Sequence, residues 1–170
     1  MAAVKKIAAI FRRDDWVALA VKTLRLEGPA ALTVDSLCKR ARGTKGSFYH
    51  HFKGIGELTR AIASHWAEEE SEAVARAASS GATPMARLQA LLALGEKADH
   101  RLERGIRALA ISDAEMAETL RKAGDRRELL TTTLLACAYG IQGAEAHHFA
   151  RLFHALQLAA PLRTAEDVAG

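Results

Sequence analysis

The residues of this 170-residue chain best equipped for chemistry run from Thr44 through Lys45, Gly46, Ser47, Phe48, Tyr49, His50, His51 and Phe52 to Lys53. Phe48 and Phe52 stand four apart, so in a helix both rings share a face and turn into a core. Lys45, Ser47, Tyr49, His50 and His51 are then left on the other sides. Together they offer an ammonium, hydroxyls and imidazoles, the groups that meet phosphate oxygens and the edges of bases. Gly46 permits close approach of its backbone to such a polyanion.

Other chemistries find less support. A phosphate-loop reading of Gly43-Thr44-Lys45-Gly46-Ser47 fails, because the Gly-Lys-Ser/Thr order is absent and no strand pattern precedes it. His147, His148 and His154 invite a metal reading, but no carboxylate or thiol stands beside them at ligand spacing, and they are expected to be surface histidines. Cys38 and Cys137 lie far apart without a C-x-x-C partner, which argues against a disulfide framework and a structural zinc; both are expected to be small core residues. No nucleophile, base and orienting acid can be grouped, so no enzymatic activity, cofactor or metal is expected.

The elements that must position Thr44 to Lys53 are helical. Ala and Leu dominate the apolar share and Pro is scarce, so an all-α chain is expected. Asp14 and Asp15 charge the start of a first helix, whose stripe of Trp16, Val17, Ala20, Val21 and Leu24 stops at Glu27-Gly28-Pro29. Thr33 caps a second, with Val34, Leu37, Cys38 and Ala41 on its apolar face, ending near Arg42-Gly43. Thr44 caps a third, short helix to about Phe52. A long helix follows from about Glu57 to Ser79, then one opened by Thr83-Pro84 with Met85, Leu88, Leu91 and Leu92 as its stripe. Four later segments are expected: 101–111, 114–123, 126–139 and 144–158, with Gly124, Gly140 and Gly143 as punctuation. No apolar run approaches the roughly 20 residues that span a bilayer, and a cytoplasmic protein is expected.

Charge divides the chain. Residues 1–53 hold 11 Lys and Arg against 4 Asp and Glu, and the remainder holds 13 against 16. A basic first third on a slightly acidic body is the pattern of a molecule that meets phosphates at one end.

Two short helices joined by a glycine-bearing turn, after an N-terminal helix, make a helix-turn-helix, which lays its last helix in the major groove. The residues go further. Trp16, Leu26-Glu27-Gly28, Leu32-Thr33-Val34, Lys45 through Lys53 and Leu58, in this spacing, resemble the tetracycline-repressor (TetR) family over about residues 14–60. The resemblance implies an N-terminal three-helix DNA-binding domain (1–56) and a helical effector-binding and dimerisation bundle (57–170). It also implies a homodimeric regulator, in the first place a repressor, that binds a palindromic operator and is released by a small apolar or amphipathic effector. Thr33 corresponds to a backbone-contacting cap, and with Arg42, Thr44, Lys45, Gly46, Ser47, Tyr49, His50, His51 and Lys53 it makes up the expected DNA-binding set.

The chain departs from the family pattern at the turn, where Arg42 stands in place of a usual Gly and Gly43 in place of an apolar residue. Either Arg42 takes a left-handed conformation or the turn shifts and Gly43 absorbs it. Ile55 replaces a common basic residue and removes one phosphate contact. The sensing pocket implied by the resemblance draws on the middle helices: Trp66, Met85, Leu88, Leu92, Leu109 and Met116, with His100 or Arg107 as polar anchor. Leu129, Leu130, Leu134, Leu135, Phe149, Leu152, Phe153 and Leu156 offer apolar faces for a two-fold four-helix interface. The competing reading is a helical ligand-binding or interaction module that has lost DNA reading.

Overall fold

A computed structural model describes residues 11–141 and 143–159, and among these every regular element is helical. In chain order they are α1 (Arg13–Glu27), α2 (Val34–Ala41), α3 (Lys45–His51), α4 (Ile55–Ser79), α5 (Pro84–Glu96), α6 (His100–Ala110), α7 (Ala114–Tyr139) and α8 (Ala144–Ala159), with a short 3-10 turn at Pro29–Ala31. Two compact units result. The described residues up to His65 and Arg101–Ala117 form the first; Trp66–His100 and the described residues from Glu118 onward form the second.

In the first unit the Thr33 and Thr44 caps are present, whereas α1 starts on Arg12, with neither Asp14 nor Asp15 at the cap position. The Arg12 amide donates to the Asp15 carboxylate at 2.8 Å where α1 begins, and Gly28 closes that helix at φ 81°. The Thr33 and Thr44 hydroxyl oxygens each accept an amide three residues on, from Ser36 and Ser47, both at 3.1 Å. Trp16, Phe48, Phe52, Leu37 and Leu58 are almost wholly buried. The Trp16 and Phe48 rings meet edge to face, 5.3 Å between centroids, which locks α3 onto α1. From far along the chain α6 joins this core through Gly105. A Cβ there would come within 2.8 Å of the Leu24 side chain, so α6 and α1 meet at a distance only glycine tolerates. Asp113 accepts the Met116 and Glu115 amides at the start of α7 and takes Arg60 of α4 at 2.9 Å. The Met116 amide bond, and then Arg60, hold its carboxyl below the usual aspartate value.

The second unit packs around Val74, Leu88, Leu91 and Leu134. Beside them Arg127 of α7 and Glu70 of α4 form an ion pair whose side chains are only 15% and 14% exposed. His154 of α8 lies 3.1 Å from the Thr131 hydroxyl, and burial, followed by the Arg127 charge, pushes its pKa down to about 4.

Three expectations need correction. Gly124 does not interrupt the chain: α7 runs unbroken from Ala114 to Tyr139, because burial of Leu120, Ala123, Thr131 and Leu134 along it outweighs the roughly 1 kcal/mol that one mid-helix glycine costs. Cys137 is exposed, since it continues the solvent stripe Leu129–Thr133 at four-residue spacing, whereas Cys38 is buried as expected. His154 is not a surface histidine, because it falls on the α8 face that holds the fully buried Ala146 and Ala150.

Candidate nucleic-acid interface

The turn between α2 and α3 decides how α3 is presented. Arg42 adopts φ 51°, ψ 32°, the left-handed conformation, while Gly43 does not. The Gly43 amide donates to the Cys38 carbonyl at 3.0 Å and the Arg42 amide to that of Lys39 at 3.3 Å, the double closure of a Schellman end. Arg42 therefore carries the strain. Gly43 serves packing instead. An added Cβ there would rest against the Trp16 ring at 3.6 Å, so the turn is pressed onto the core beneath it. Replacing Arg42 by glycine is expected to stabilise the unit by about 0.5–1 kcal/mol, the left-handed penalty less the added unfolded-state entropy. The check is a raised urea midpoint with unchanged m; a lowered midpoint would count against strain at this residue.

With the turn set, α3 buries Phe48 and presents its other sides. Lys45, Gly46, Tyr49 and His50 are exposed and Ser47 is half-buried. Tyr49 is 53% exposed, its ring held edge-on by Phe48 at 5.5 Å, so the hydroxyl is carried outward on a braced ring. An added Cβ at Gly46 would meet nothing nearer than the Thr44 hydroxyl, at 3.7 Å. The fold itself thus leaves room at residue 46, and what glycine keeps clear is the space outside. Lys45 Nζ lies 2.6 Å from Asp35 of α2, and the bond to that carboxylate raises the lysine pKa. Both partners are exposed, so the pair can exchange for a phosphate at little cost.

Thr33, Arg42, Thr44 and Lys53 are also exposed, and the Lys53 amide donates to Glu57 at the head of α4. His51 is placed differently from the rest. Half-buried, it sets Nε2 2.9 Å from the Phe11 carbonyl, an acceptor, so the ring donates to the segment before α1. The outward edge accordingly consists of Lys45, Tyr49 and His50, flanked by Thr33, Arg42 and Lys53.

Residues 17–62 match the model of the bacterial regulatory proteins, tetR family. Over that stretch the chain is similar to the tetR-family regulatory proteins. Its helix-turn-helix lies wholly inside the match, and most of the chain shares its fold with solved transcriptional regulators. The reduced form of NemR from E. coli superposes with a TM-score of 0.73 at 19% identity, over 88% of this chain and 85% of that one. The ketosteroid regulator KstR2 of Mycobacterium tuberculosis does so with 0.74 at 16%, over 90% and 83%. A TetR/AcrR-family regulator of Thermobifida fusca gives 0.67 at 19%, over 90% and 85%. No curated protein sequence matches.

The second unit holds an apolar cleft of about 600 Å³. Leu88 and Leu92 of α5 line it, as do Thr131, Leu135 and Tyr139 of α7, Ile141, and Glu145, Phe149 and Phe153 of α8. Of the sequence-derived pocket set only Leu88 and Leu92 are brought together there. Trp66, Met85 and His100 belong to the same unit but do not line the cleft. Arg107, Leu109 and Met116 fall in the first unit, where Arg107 pairs with Glu103 at 2.8 Å and Met116 is buried in the core. The lining that the sequence does not announce comes from α7 and, in equal number, from α8. Its aromatic spacing, Phe149 to Phe153, is the available signal, but on sequence alone those rings suit a subunit interface equally well.

Proposed function

We propose that this protein is a ligand-responsive repressor that binds a palindromic operator as a homodimer in the cytoplasm. The observation that carries the reading is the division of α3, with Phe48 buried while Lys45, Tyr49 and His50 stand exposed on one rigid short helix. Such an edge suits a major groove: Lys45 reaches a base acceptor or phosphate, the Tyr49 hydroxyl a phosphate oxygen, and His50 a base edge. The capped N-termini of α2 and α3, with Thr33 and Thr44, supply further phosphate contacts, and Arg42 and Lys53 supply charge in place of the basic group that Ile55 lacks.

Dimerisation is assigned to α7 and α8. Leu129, Leu152 and Leu156 are 67%, 57% and 60% exposed, more large apolar surface than two helices leave to water without a partner. The cleft lined by Leu88, Leu92 and Phe153 is the proposed effector site, its volume within the range of small-molecule pockets.

The test is a mobility-shift titration at several salt concentrations on DNA from upstream of the protein's own gene. Lys45→Ala and Tyr49→Ala are each expected to weaken binding about tenfold, the value of one good groove contact. Lys45→Ala should also flatten the logarithmic salt dependence by about one unit. Wild-type affinity in both variants, or a monomer by light scattering, would remove this reading.

A further inference from the structure

Resting on the assignment of the cleft as the effector site, we propose that its ligand is a lipophilic organic cation, a bulky ammonium or phosphonium ion whose charge is met by Glu145. The lining is chemically one-sided. Among the described residues Glu145 is the only one lining the cavity that is charged at neutral pH, and no described Lys, Arg or His lines it. None of the ion pairs among the described residues engages that carboxylate. It stands in the first turn of α8.

Three aromatic rings, Tyr139, Phe149 and Phe153, share the wall with it. Ring faces beside a carboxylate attract a cation from two directions and repel an anion from both. Hydrogen-bond donors that could hold an anion are scarce. The Thr131 hydroxyl donates to the Arg127 carbonyl at 2.9 Å and lies 3.1 Å from His154, so it is already engaged within the protein. The Arg127 guanidinium is itself committed to Glu70. What remains is an apolar volume fit for a molecule of drug size, with one fixed negative charge among aromatic rings.

Calorimetric titration of the full chain with tetraphenylphosphonium and with tetraphenylborate, ions of one shape and opposite charge, tests this directly. Phosphonium is expected to bind at least tenfold more tightly than borate, and Glu145→Gln to weaken phosphonium about tenfold while narrowing the difference between the two ions. Equal binding of both ions, binding of neither, or a Glu145→Gln variant with unchanged preference overturns the proposal. So does a second copy of the chain filling the cleft, which would appear as loss of the dimer in Tyr139→Ser by sedimentation; a dimer that persists supports a free cleft. Operator binding by the unliganded protein is measured alongside. Its failure defeats the regulator reading, whereas intact operator binding without cation preference defeats only this one.

Discussion

Phe48→Ala should unfold or nearly unfold the first unit, with a stability loss of about 3–5 kcal/mol. Phe48 is wholly buried and touches three other rings: Trp16 at 5.3 Å, Phe52 at 5.7 Å and Tyr49 at 5.5 Å. Truncation leaves a cavity between α1 and α3 that a seven-residue helix cannot close by shifting, because Thr44 and the Arg42 turn fix its entry. Denaturant titration gives the stability, and the mobility shift should lose the operator complex together with the fold. Phe48→Leu, which keeps most of the volume, should recover much of both. An alanine variant within about 1 kcal/mol of wild type would mean that the aromatic cluster does not hold α3 in place.

A loss of similar size, about 3–5 kcal/mol, is expected from Arg127→Met in the second unit. The substitution leaves the Glu70 carboxylate, 14% exposed, without its partner among Val74, Leu91 and Leu94. The cost arises from the stranded charge and not from the worth of the pair, so adding Glu70→Met should restore most of the stability. A double variant as unstable as the single one would show that packing by the guanidinium matters more than charge balance. Burial also lowers the pKa of Arg127, a sign that its charged form is held there against a desolvation penalty.

What could be read without coordinates follows how local the physics is. Thr33 and Thr44 cap helices through amides three residues away, and Phe48 and Phe52 share a face by helical geometry alone, so sequence spacing suffices for both. The all-helical fold and the similarity of residues 17–62 to the tetR-family model are legible for the same reason. At Arg42-Gly43 the sequence leaves two solutions. The structure puts the left-handed residue at Arg42 and sets Gly43 beside Trp16, a contact made across 27 positions of chain. His51 looks equivalent to His50 until the Phe11 carbonyl, 40 residues earlier, is seen to take its ring.

The cleft is the least legible part. Leu88 and Leu92 announce themselves by helical spacing, but whether Leu109 and Met116 join them depends on which core α6 and the start of α7 enter. Both enter the first unit. Residue periodicity says that a face is apolar and not which partner covers it. Glu145 gives no signal at all, since a carboxylate in the first turn of a helix is ordinary capping chemistry.

The contact of Gly105 with Leu24 bears on how far the helix-turn-helix unit is portable. A fragment cut after His65 would keep all three helices of the helix-turn-helix yet leave Leu24, 2% exposed in the intact chain, without the backbone that roofs it. Chimeras that transplant the head of this protein onto another body must therefore bring a stretch from beyond residue 100 with it, or supply a substitute lid of equally small cross-section.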